Sequence, residues 1–200
     1  MLLLALAAQL IPARPTGYPW FSSDDMPSYV AGAGRTRYVL TRTTVRPDGS
    51  ILRCEIEQAS GDRDVDVQTC AIITKRGKFS PAKSPGGTPS YGVFRKFVVY
   101  TMITKWDERN NPVDLDLTVD RLPKGVRSGI QVQVMFEVSA EGQISSCAPD
   151  VAKAIPPKFM PLVTLACQQV AIRFKALPAT DDNGTAVASI QEACVRFTKD

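Results

Sequence analysis

The sequence predicts an α+β chain of two tandem modules, each a strand-turn-strand-helix-strand unit with its helix on one face of a small antiparallel sheet. Three observations lead there: a pair of recurring motifs, a period-2 apolar run at the second copy, and a capped helical stretch after the first hairpin. VRPDGSILRC, Val45 to Cys54, matches VSAEGQISSC, Val138 to Cys147, at an offset of 93. CAIITKRGKFSPA, Cys70 to Ala82, matches CQQVAIRFKALPA, Cys167 to Ala179, at an offset of 97. Gly87-Thr88 and Gly184-Thr185 continue the match. One insertion of four residues between the paired cysteines accounts for the change of offset. The repeat unit is then roughly 80–90 residues, an ordinary size for a small domain.

The N-terminal stretch MLLLALAAQLI, Met1 to Ile11, is apolar but short of the ~20 residues that cross a bilayer. It reads as the apolar part of an export signal, with Ala5-Leu6-Ala7 as a small-x-small cleavage site. No Lys or Arg precedes it, so the matching expectation is a start further upstream or a truncated membrane anchor. Residues 1–19 are read as leader, 20–107 as the first module and 108–200 as the second. The boundary falls in the polar run Asp107-Glu108-Arg109-Asn110-Asn111-Pro112, which ends in a linker-like Asn-Pro.

In the first module, Arg46-Pro47-Asp48-Gly49 marks a hairpin turn, because Pro fixes φ and Gly supplies a positive one. A helix follows, capped by Asp62 or Asp64, with Val65, Thr69, Ile72 and Ile73 as its apolar face and Lys75-Arg76 in its last turn. Acid first and base last suits the helix dipole. The last strand runs from Tyr91 to Thr101, with a counterpart from Ala186 to Phe197. In the second module, Ile130, Val132, Val134, Phe136 and Val138 alternate with Gln131, Gln133, Met135 and Glu137, the pattern of a half-buried strand. Ala140-Glu141-Gly142-Gln143 turns the chain, and Ile144 to Cys147 starts the return strand.

Export implies an oxidising compartment, where disulfides persist. Cys54, Cys70, Cys147, Cys167 and Cys194 show no CxxC spacing, so no zinc ribbon or thioredoxin motif is read. One cysteine of each repeat lies on the second strand and one on the helix. Duplication therefore singles out Cys54–Cys70 and Cys147–Cys167 as bridges stapling helix to sheet, the alternative being buried free thiols. Cys194 aligns with Phe97 and is expected as a small core residue of the last strand.

With 200 residues, 44% hydrophobic and 22% charged, the composition is that of a globular protein. The absence of His removes Ser-His-Asp and Cys-His nucleophiles, HExxH zinc sites and His-ligated haem. Ser80-Pro81-Ala82-Lys83 matches a Ser-x-x-Lys pattern, but Ser80 follows a helix instead of starting one. Asp62-x-Asp64-x-Asp66 hints at a calcium loop and fails, since Val67 and Ile73 stand where Gly and Glu are needed. Asp181-Asp182-Asn183-Gly184 reads as a turn. No catalytic residue, metal ligand or cofactor is nominated, and the chain is read as a non-enzyme. Residues 27–107 carry 13 basic and 7 acidic groups, and residues 108–200 carry 10 and 11. The copies have diverged in charge, so they are not expected to share one task. Without an aromatic-basic platform, nucleic acid is not an expected partner.

The order Pro-Asp-Gly, Cys54, Ser60-Gly61, Val65-Asp66, Cys70, Arg76-x-x-Phe79-x-Pro81-Ala82 and Gly87 resembles the C-terminal domain of TonB-family energy transducers, in its Cys-containing variant. Trp20 to Pro27, with Asp24-Asp25-Met26-Pro27, is similar to the lead-in of that domain. The resemblance covers Trp20 to about Met102, and Asp114 to Asp200 as a weaker second copy. It implies a periplasmic protein-binding module associated with energy-coupled transport across the outer membrane. Its implied partner is an extended segment of an outer-membrane receptor or another envelope protein, added to the sheet as a strand. The implied edge strand is Gly92, Val93, Phe94, Arg95, Lys96, Phe97, Val98, Val99 and Tyr100. Arg95 and Lys96, with Arg76, Lys78 and Lys83, either favour an acidic segment or form a solvated, edge-protecting face. Any membrane association is expected through the N-terminal apolar segment. Only a few residues separate Ile11 from Pro27, too few for the long Pro-rich spacer of a transducer. The second expectation is therefore a structural or accessory envelope protein whose two sheets pack on each other with no open edge.

Overall fold

A computed structural model describes residues 9–17, 19–32, 36–102, 112–150 and 155–200. Asp107 to Asn111 of the expected linker, and residues 1–8 of the apolar leader, lie outside the described residues. The first module contains β1 (Arg14–Thr16), α1 (Ser28–Gly32), β2 (Arg37–Val45), β3 (Ile51–Gln58), α2 (Arg63–Arg76), β4 (Lys78–Ser80), β5 (Ala82–Lys83) and β6 (Pro89–Tyr100). The second contains β7 (Leu115–Val119), β8 (Ile130–Val138), β9 (Ile144–Pro149), α3 (Met160–Arg173), β10 (Ala179–Thr180), β11 (Ala186–Val187) and β12 (Ser189–Lys199). The chain is mixed α+β, and each repeat runs strand, turn, strand, helix, strand.

The local chemistry explains these elements. At the first hairpin, Gly49 N–H donates to the Arg46 carbonyl at 2.9 Å, and Gly49 takes the positive φ of 87° that the turn needs. The Asp62 carboxylate accepts from Asp64 N–H at 3.1 Å and Val65 N–H at 3.3 Å, capping α2. The buried residues of α2 are Val65, Thr69, Ile72 and Ile73, the face the periodicity predicts. Disulfides join Cys54 on β3 to Cys70 on α2, and Cys147 on β9 to Cys167 on α3, with Cα–Cα separations of 5.5 and 5.6 Å.

The two modules share one sheet, a feature the sequence does not announce. Its strand order is β3-β2-β6-β12-β8-β9, with β5 beside β6 and β7 beside β12. Within each module the pairs are antiparallel, except that β7 runs parallel to β12. The modules meet where the last strands pair parallel, Tyr91 with Ser189 and Gly92 with Ile190. Side chains alternate along a strand and paired neighbours point the same way. Val98 and Tyr100 pack with Val65 of α2, on the side shared by Gly92 and Ile190. Ala193, Val195 and Phe197 pack with Val163, Ala166 and Val170 of α3, on the other side. The helices therefore cover opposite faces of the sheet.

Each module then lends chain to cover the other's back. Leu10, Ala13 and Ala82 bury against Met135 and Ile190 of the second module. This explains a departure from the half-buried reading of β8, where Met135 is buried although the alternation places it outward. The same packing takes in residues 10–16, which the sequence reading assigns to the leader. Leu10 and Ala13 are core residues, Ile11 bridges Lys83, and β1 pairs antiparallel with β4. In return, the segment after α3 reaches across the first module. Arg42 donates to the Leu177 carbonyl at 2.8 Å, Arg53 to the Asp181 carbonyl at 3.1 Å, and Arg46 pairs with the Asp182 carboxylate.

Candidate functional site

The strand that the resemblance nominates, Gly92 to Tyr100, lies inside β6 and near the middle of the shared sheet. One side is hydrogen-bonded to β2 along its whole length, from Val45↔Gly92 to Arg37↔Tyr100. On the other side β12 pairs only as far as Gly92. Beyond that point the two strands part, and a cleft of about 850 Å³ opens between them. From the first module Leu40, Phe94, Arg95, Lys96 and Phe97 line it; from the second, Val132, Gln133, Phe159, Val163, Glu192 and Cys194 do so.

The nine nominated residues divide by role. Gly92, Val93, Val98 and Tyr100 are buried. The Tyr100 hydroxyl lies 3.0 Å from Thr69 Oγ1, which itself donates to the Val65 carbonyl. The Tyr100 hydroxyl is therefore the donor of that pair, and burial pushes its pKa up. Val99 is half-buried. Phe94 stacks edge-on with Trp20 and Phe79, with ring centroids 6.2 and 5.2 Å away. Phe97 packs on Tyr38 at 5.6 Å. No residue from Ser90 to Tyr100 is fully exposed.

Arg95 sits at the fork. It donates two 2.7 Å bonds to Glu57 on β3 and one of 2.5 Å to Asp114. Burial works against its charge, but the two carboxylates outweigh it and raise its pKa. The other Asp114 oxygen accepts from Cys194 N–H at 2.8 Å, and Asp114 N–H donates to the Cys194 carbonyl at 2.8 Å. Asp114 thus wedges between β6 and β12, and β7 then continues along β12 from Leu115↔Val195. By bonding both the N–H and the carbonyl of Cys194, Asp114 satisfies backbone groups of β12 that β6 does not reach.

The basic residues flanking the strand do not converge. Arg76 is held by Asp25 through bonds of 2.7 and 2.9 Å and also donates to the Trp20 carbonyl. Arg76 beside it holds the Asp25 carboxyl down at about 2. Lys78 is exposed on β4, and Lys83 is tied to Ile11 by backbone bonds. Arg14 reaches Asp150 and Glu192 on the far wall of the cleft. Ser80 lies exposed on a strand. Asp62 is spent on capping, and Asp66 accepts from Ser60 N–H at 2.9 Å. Asp181 to Gly184 form a turn, with Gly184 N–H donating to the Asp181 carbonyl.

Cys194 stands outside both disulfides, but it is not the core residue expected. It is half-buried, lines the cleft, and its thiol donates toward Gln131 Oε1 at 3.7 Å. The reason is register, because even-numbered residues of β12 face away from α3. The composite sheet, the Asp114 wedge and the N-terminal strand were not predicted. Asp114-Leu115-Asp116-Leu117 alternates polar and apolar residues, and that was the available signal for β7. Comparisons with protein families, with characterised proteins and with solved structures found nothing that matches this chain.

Proposed function

We propose that this protein is an exported, non-catalytic envelope module that binds an extended segment of a protein partner, on the plan of a TonB C-terminal domain. The partner on this reading is a periplasmic segment of an outer-membrane receptor or of a related envelope protein. One observation carries it: β6 is committed to β2 along one side, yet on its other side β12 pairs only as far as Gly92 and Phe94 to Phe97 line a cleft. Extended ligands that add to strands gain main-chain hydrogen bonds, and pockets for alternate side chains give them selectivity. Phe97 and Leu40 supply apolar wall, and Lys96 and Glu192 supply both signs of charge. The two disulfides support an oxidising compartment, and hence the periplasm.

A second reading is favoured by the Gly92–Ile190 pairing. In it the second module occupies the place of the added strand on the first, and the chain is a structural or accessory envelope protein with no transducer role. Calorimetric titration of the full chain with synthetic receptor segments separates the two. Saturable binding supports the recognition role, and no heat with any segment leaves the accessory role.

A further inference from the structure

A second pocket lies away from the cleft, in the loop between β7 and β8. Its volume is about 330 Å³, and Arg121, Leu122, Pro123, Lys124, Val126 and Lys199 line it. The loop is pinned at two points. Val126 N–H donates to the Pro123 carbonyl at 3.0 Å, closing a tight turn, and Lys199 N–H donates to Ser128 Oγ at 3.0 Å. The second bond ties the end of β12 to the loop and brings Lys199 to the pocket beside Arg121 and Lys124.

What sets this place apart is that three cations line one pocket. Arg14, Arg42, Arg46, Arg76, Arg95 and Arg196 each pair with a carboxylate. Arg121, Lys124 and Lys199 are among the described cations that pair with no carboxylate, and they are exposed at the same pocket. Three cations at one small pocket repel one another unless an anion joins them. The loop that forms the pocket belongs to the second copy. At the repeat offset of 93, the loop falls opposite residues 27–36, where the first module carries α1. The second module has one more acidic than basic residue overall, and Asp120 and Asp200 adjoin Arg121 and Lys199 in sequence, so the pocket's basic lining stands in acidic surroundings.

We propose that this pocket binds a phosphate group, through Arg121, Lys124 and Lys199. The phosphate is either the headgroup of an anionic phospholipid or a free ion. Arg offers a planar fork to phosphate oxygens and Lys a point charge, so the set suits a tetrahedral anion. Leu122, Pro123 and Val126 add an apolar wall beside the charge, as a headgroup joined to an acyl body requires. The inference does not rest on the TonB-type reading.

The test has two arms on the full chain. One measures co-sedimentation with vesicles of phosphatidylglycerol and phosphatidylcholine against vesicles of phosphatidylcholine alone. The other follows amide resonances during titration with inorganic phosphate. Binding in either arm is expected, and R121E/K124E/K199E should weaken it at least ~10-fold. A control with K75E/K78E/K175E makes the same change in net charge at exposed positions elsewhere and should keep most of the binding. Thermal unfolding of both variants shows that each is folded. Binding in the vesicle arm assigns a lipid headgroup, and binding in the phosphate arm assigns the free ion; either supports the site. Binding in neither arm, or equal loss in the two triple variants, overturns it.

Discussion

Gly92 of β6 lies against Ala13 of the N-terminal segment so closely that a Cβ on residue 92 would sit 2.7 Å from the Ala13 methyl. The Ala82 methyl would be 2.9 Å from the same atom. This is the point where β6 meets β12, where the N-terminal segment crosses, and where β5 passes. Glycine is required here for space and not for backbone angle. Gly92→Ala is therefore expected to destabilise by ~1–3 kcal/mol through overpacking, and Gly92→Val by more. Denaturant unfolding measures this. The same exchange at Gly86, around which nothing lies within 4 Å but whose φ is +100°, would act through backbone strain alone.

The two staples give a chemical prediction. Mass mapping under non-reducing conditions should find linked peptides 54–70 and 147–167, with one titratable thiol at Cys194. Removing either bridge by paired Cys→Ser exchange should cost ~2–4 kcal/mol. Five free thiols in protein purified from an oxidising compartment would contradict the fold.

Arginines at the module seam should differ in worth according to burial. The Arg46–Asp182 pair is largely solvent-exposed on its Asp182 side, so Arg46→Ala should cost under ~1 kcal/mol. Asp114 is 8% exposed and leans on Arg95. Arg95→Ala strands that carboxylate and should cost ~2–4 kcal/mol. Comparable small losses for both would show that Asp114 does not wedge the strands.

Acid sensitivity should centre on Asp25. Its carboxyl has a pKa of about 2 in the folded chain against an ordinary 3.8, chiefly through its hydrogen bonds to Arg76. A depressed carboxyl stabilises the fold above its unfolded pKa, and that contribution fades as pH falls from about 5 toward 2. With Arg76 44% exposed, screening reduces the effect to the order of 1 kcal/mol. Asp25→Asn should flatten the stability profile across that window while leaving pH 7 to 8 with a constant offset.

Much of one module was legible in the sequence, because its signals are local. The Pro-Asp-Gly turn, the Asp62 cap and the Val65, Thr69, Ile72, Ile73 face each depend on neighbours a few residues away. The cysteine pairing was legible because duplication wrote it twice. What the sequence did not disclose is long-range. Nothing near Gly92 announces Ile190, and the polar Asp114 carries no local mark of its place between Arg95 and Cys194. Leu10 and Ala13 are core residues, and their local sequence does not separate core packing from the apolar part of an export signal, since both use Leu, Ile and Ala. Cys194 was misplaced because aligning it with Phe97 gives its strand position but not the environment its face meets.

The central claim is that the side of β6 facing the cleft receives an extended protein segment, and mapping amide resonances during a receptor-peptide titration tests it most directly. The account predicts saturable shifts confined to Val93–Tyr100 and to the facing residues of β12 around Glu192 and Cys194. Saturable shifts confined to the outer strands β3 or β9, or no shift with any receptor segment, would contradict it.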